Sequence, residues 1–127
     1  MRYSSKYLNL EALDLVVRAN PTTDCVIITT SAGIVIGELC LEIAENIEDS
    51  TSLRDMVLYA KEKLMNSDVF QDVELIGDGS TILLKNAIIL FDNKVRFNMN
   101  QYVVHCDDIV GFSASNRQDL MKQLNLQ

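Results

Sequence analysis

The chain has no tryptophan, one proline, one histidine and only three cysteines among its 127 residues. Each scarcity excludes something. A single histidine, with no recognisable spacing of nucleophile, base and orienting group, supports no catalytic assignment, so the chain reads as non-enzymatic. Cys25, Cys40 and Cys106 are odd in number, far apart and each set in an apolar run. Without a CxxC they suggest neither a zinc nor a dithiol site, and buried reduced thiols are expected. No metal or other cofactor is expected.

Long apolar runs are missing too. None approaches the roughly 20 residues of a membrane-spanning helix. The first residues, MRYSSKYLNLEALDL, lack the long apolar core and small-residue cleavage site of a signal peptide. A cytoplasmic protein with no membrane partner is the expectation. Basic residues are also scarce, 11 against 18 acidic, for a net charge of -7. Residues 1–80 hold six of the basic and fourteen of the acidic side chains, and residues 81–127 hold five and four. Phosphate contacts are made by Lys and Arg, so this balance disfavours nucleic acid as a ligand.

What is present is apolar patterning, 48% of residues, in one chain of single-domain length. Residues 8–19 set Leu8, Ala12, Leu15, Val16 and Ala19 at helical spacing opposite Glu11, Asp14 and Arg18, predicting an N-terminal helix packed on a sheet. Pro21 ends it. Asp24 to Ile43 reads as a hairpin turning at Ser31-Ala32-Gly33, with Gly37 marking a bulge or bend in the second strand. An acidic run follows at Glu38, Glu42, Glu45, Glu48 and Asp49. It lacks the tight alternate oxygens and glycine of a calcium loop and reads as a solvated edge.

Residues 44–80 form an insert whose clearest element is a helix over 52–66. Ser52 and Asp55 resemble a capping box, and Leu53, Met56, Val57, Ala60 and Leu64 make the apolar stripe. VFQDVELI alternates like a strand, and Gly77-Asp78-Gly79 is a turn without a phosphate-loop context. Thr81 to Ser115 reads as three further strands. The first is apolar on both sides, with Ile82, Leu84, Ile88 and Leu90 on one and Leu83, Ala87, Ile89 and Phe91 on the other, so it is expected to be central. Residues 116–127 form a tail with a short capping helix begun at Asn116.

Taken together, an N-terminal helix, five antiparallel strands and a helical insert between strands 2 and 3 resemble the Sm-like (Hfq-like) family of small SH3-like barrels. Ile82-Leu83-Leu84-Lys85-Asn86 is similar to that family's third-strand signature. Ile109-Val110-Gly111-Phe112 resembles its short last strand. The resemblance implies a mainly β, five-stranded antiparallel barrel with α additions, assembling as a homo-oligomeric ring through the edge strand Asp108, Ile109, Val110, Gly111 and Phe112. It also implies RNA contacts at Lys85, Asn86 and His105. The Lys-His pair that helps form the family's uridine pocket is replaced here by Cys106 and Asp107, followed by Asp108, and clustered carboxylates repel phosphate. A scaffolding or regulatory role, with the chain itself or another protein as partner, therefore ranks above RNA binding. Met56, Met65, Phe97 and Met99 offer adaptable apolar contacts for it. His105, Cys106 and Asp107 are adjacent, but neighbouring strand residues point to opposite faces, so His105 is expected at a surface or interface rather than in a metal or acid–base site. The element order also resembles roadblock/longin-type domains, which implies a dimeric regulator of a GTPase.

Overall fold

The computed structural model describes residues 5–41, 51–70, 72, 79–92 and 94–124. Three helices and five strands follow in the order α1 (Ser5–Ala19), β1 (Cys25–Thr30), β2 (Gly33–Cys40), α2 (Leu53–Met65), β3 (Thr81–Phe91), β4 (Arg96–His105), β5 (Ile109–Ser115) and α3 (Arg117–Gln123). The five antiparallel strands, the N-terminal helix and the helical insert between β2 and β3 match the expected fold. The barrel is not closed. Strand order is β4-β3-β2-β1-β5, which leaves β4 and β5 as the two edges of an open sheet. No helix among the described residues is long and apolar enough to cross a membrane.

Local chemistry explains the breaks between elements. After α1, the Asn20 Oδ1 accepts hydrogen bonds from the Thr22 backbone N–H at 3.0 Å and from its hydroxyl at 2.7 Å, a turn typical of Asn before proline. Ser52 caps α2, its hydroxyl accepting from the Asp55 N–H. Asn116 caps α3 by accepting from the N–H groups of Gln118 and Asp119.

The sheet bends in its middle. β2 and β3 pair as Ile36↔Ile88 and Glu38↔Lys85, so the register shifts beside Gly37. A Cβ on Gly37 would sit 3.1 Å from the Lys85 carbonyl oxygen, which is why glycine occupies the bend that the sequence places there. Across from it, Asn86 has φ 51°, in the left-handed region. This changes the alternation predicted for β3. Ile82 and Leu84 share the main core with Ala87, Ile89 and Phe91, whereas Ile88 and Leu90 belong to a second cluster. One left-handed residue reverses the parity of everything after it.

The main core joins Val26, Ile28, Val35 and Cys106 to Leu10 and Leu13 of α1. The second, smaller cluster sets Cys25, Ile36 and Ile88 against Leu120 of α3. Both helix stripes read from the sequence need correction. In α1 the buried residues are Leu10 and Leu13, while Leu8, Leu15 and Val16 are exposed. In α2 the buried residues are Arg54 (5% exposed) and Asp55 (2%), whereas Leu53, Met56, Val57 and Leu64 are exposed. α2 is held by its first turn. Arg54 donates to the Leu41 carbonyl at 3.0 Å and the Tyr7 hydroxyl at 2.9 Å, and the Leu53 N–H donates to the Gln101 side chain at 2.6 Å. Apolar spacing identifies a helix's hydrophobic side, but anchoring chemistry has fixed which side faces the protein.

Of the predicted strand VFQDVELI, Val69 and Phe70 lie in a single 3₁₀ turn (Asp68–Phe70), and the rest lies mostly outside the described residues. Within the acidic run, only Glu38 falls inside them.

Candidate functional site

The feature with the clearest capacity for interaction is the pair of sheet edges. β5 is fixed to β1 on one side through the pairs Cys25↔Ser115 to Thr29↔Gly111. The Thr29 hydroxyl reinforces this by donating to the Gly111 carbonyl at 3.0 Å. The register then steps to Thr30↔Ile109, so Val110 is an extra residue with no opposite number on β1. A bulge of this kind turns the strand locally and presents the extra side chain outward. Val110 is accordingly 78% exposed.

The five residues of the expected edge strand thus have different roles. Ile109 is buried in the main core. Gly111 pairs with Thr29, and Phe112 pairs with Ile28 while its ring stays largely exposed. Asp108 precedes the strand, in a 3₁₀ turn (Cys106–Asp108), and its Oδ1 accepts from the Ser31 hydroxyl at 2.7 Å. At the opposite edge, β4 pairs with β3 from Thr81↔His105 to Leu90↔Arg96. Phe97 and Met99 on β4 are exposed, with the Phe97 ring edge-on to Phe91 at 5.8 Å between centroids. Strand edges with unpaired backbone groups and exposed apolar side chains are templates for another strand.

The three residues expected to contact RNA do not converge. Lys85 pairs with Gln101 whereas His105 pairs with Thr81, about 13 Å apart along the strands at roughly 3.3 Å per residue. Asn86 is committed to Glu38, whose carboxylate accepts from its amide nitrogen. His105 is exposed, and it lines a cavity of about 120 Å³ together with Tyr102 and Asp108. Cys106 lies fully buried beneath α1, while Asp107 is exposed and its carbonyl accepts from the Lys6 ammonium at 3.3 Å. His105, Cys106 and Asp107 therefore form no joint site. Among the described residues, no three His, Cys, Asp or Glu side chains are grouped to hold a metal ion.

Cys25 is buried and its thiol lies 3.4 Å from the Ser115 carbonyl. Burial, reinforced by the Asp24 carboxylate, pushes its pKa from 9.0 up to about 11. The fold therefore favours the neutral thiol. That contribution to stability is complete below pH 9.0 and is lost as pH rises toward 11. At about pH 8, iodoacetamide should modify Cys40, which is half-buried, well before Cys25. Chemical denaturation should show an alkaline fall in stability that is absent from Cys25→Ser. Equal alkylation rates would contradict this.

The exposed helix stripes, Leu8, Leu15 and Val16 on α1 and Val57 and Leu64 on α2, escaped the sequence reading as surface because their spacing equally suits a core. The signal that separates them is a second, offset series on α1 (Tyr7, Leu10, Leu13 and Val17), which competes for the same sheet. The chain matches no protein-family model, no curated protein and no solved structure.

Proposed function

We propose that this chain is a non-enzymatic, homo-oligomeric, Sm-like module of the cytoplasm, with a scaffolding or regulatory role. Its subunits join when the β5 edge of one pairs with the β4 edge of the next. The observation that carries this reading is the strand order, which sets the two open edges on different strands of one sheet. Contact between two different surfaces is head-to-tail, and it closes into a ring when the rotation per subunit permits.

Three further features support it. Val110 and Phe112 on one edge and Phe97 and Met99 on the other give both edges exposed apolar side chains. The bulge at Val110 restricts pairing to a strand that follows its twist, which favours one specific neighbour over indiscriminate stacking. The exposed stripes of α1 and α2 add apolar area of the kind that marks protein contact surfaces. RNA remains the secondary ligand class, because Cys106 and Asp107, followed by Asp108, stand where the family resemblance implies a Lys-His pair. The subunit count of the purified chain tests the proposal. More than two identical chains are expected, and a monomer at all concentrations contradicts it.

A further inference from the structure

Beside α3, the β3–β4 hairpin forms a cleft of about 290 Å³ whose lining includes Asn86, Ile88, Arg96, Asn98, Arg117 and Met121. Arg96 and Asn98 occupy alternate positions of β4 and so share one face of the sheet, and Asn98 pairs directly with Ile88. Arg117 arrives from the first turn of α3. In a chain with 18 acidic and 11 basic residues, this cleft is lined, among the described residues, by two arginines and by no Asp or Glu.

We propose that the cleft binds a small phosphate monoester, with its phosphate held by the Arg96 and Arg117 guanidiniums. Both side chains are set in place before any ligand arrives. The Arg117 Nη2 donates to the Asn86 carbonyl at 2.6 Å, and its backbone N–H donates to the Asp24 carboxylate at 2.7 Å. The Arg96 Nε donates to the Asn98 side-chain oxygen at 3.2 Å. A guanidinium is a planar fork with five N–H donors, so the bond to Asn86 leaves most of the Arg117 fork available. Two such forks match the charge and the several acceptor oxygens of a phosphate dianion better than a single carboxylate.

The rest of the lining fits the organic part. Asn98 and Asn100 offer amides for hydroxyl groups, and Ile88 and Met121 offer an apolar wall for the carbon skeleton. The volume lies at the small end of ligand pockets, which run from about 300 to 1,000 Å³. Two carboxylates bear on the site from behind its lining residues: Asp24 through the Arg117 backbone and Glu38 through the Asn86 amide. Their repulsion keeps the expected dissociation constant near about 1 mM. Its lining shares β4, Met99 included, with the edge proposed to pair, and the titration reads the cleft separately from the subunit count.

Isothermal titration of the full chain with ribose 5-phosphate tests it, with ribose and inorganic phosphate as the comparison probes. Saturable binding of ribose 5-phosphate, tighter than inorganic phosphate and absent for ribose, is expected. Arg96→Gln and Arg117→Gln should each weaken it by about tenfold or more. Arg117→Gln also removes the contact to Asn86, so circular dichroism must show it folded, and Arg96→Gln provides an independent reading. No saturable heat up to about 10 mM, binding unaffected by both variants, or equal binding of inorganic phosphate would each overturn the proposal.

Discussion

Val110→Pro should convert the assembled protein into folded monomers. Proline removes a backbone N–H and places a ring where a neighbouring strand must approach. Within one chain the cost is small, because the β1–β5 register skips Val110 and its side chain is 78% exposed. Between chains the cost falls on the interface. Loss of one ladder hydrogen bond together with a steric clash should weaken each contact by about 2 kcal/mol or more, roughly thirtyfold in its dissociation constant. Sedimentation velocity reads the mass and circular dichroism reads the fold. Monomers with native-like spectra would fit the head-to-tail account. An intact assembly would mean that the β5 edge is not the contact.

Gly33→Ala should have the largest effect on stability of any single methyl addition in the sheet. Gly33 opens β2 with φ 157° and faces Phe91 across the β2–β3 ladder. A Cβ built there would lie 2.1 Å from the Leu90 carbonyl oxygen, a backbone atom that cannot rotate away. Either the hairpin start or the end of β3 must move, and both border the main core through Val35, Ile89 and Phe91. Overpacking against backbone costs about 3 kcal/mol or more. For a chain of this size that lowers the thermal midpoint by roughly 10 °C. A midpoint within about 2 °C of the unsubstituted protein would show that the ladder relaxes freely at this point.

The strands were legible because β-branched runs such as CVIITT and TILLKNAIIL leave few alternatives, and because Ser31-Ala32-Gly33 punctuates the first hairpin. The bend at Gly37 was legible for the same reason, since a glycine inside a strand usually marks a close backbone approach. The left-handed Asn86 opposite it was not. Asparagine tolerates that conformation without requiring it, so nothing in the residue alone announces the change of parity in β3. Burial on α2 was misassigned because Arg54 finds two oxygen partners, the Leu41 carbonyl and the Tyr7 hydroxyl, that are distant in sequence. Those bonds turn the apolar stripe of α2 toward solvent. Barrel closure was over-read as well, because strand count and order constrain neighbours in the sheet without deciding whether its first and last strands meet.

The arginine cleft was hidden for a related reason. Arg96 and Asn98 advertise a polar face only once β4 is known to alternate from Arg96, and Arg117 belongs to a separate helix. The polar series RFNMN is the one local sign of it, since its polar residues recur at every second position.

Native mass spectrometry of the purified chain, before and after nuclease treatment, tests the central claim most directly. Head-to-tail pairing of β5 with β4 predicts a closed ring of more than two identical chains whose mass survives the nuclease. A monomer, or a dimer that grows no further with concentration, would contradict it, and a dimer would favour the roadblock-like arrangement instead.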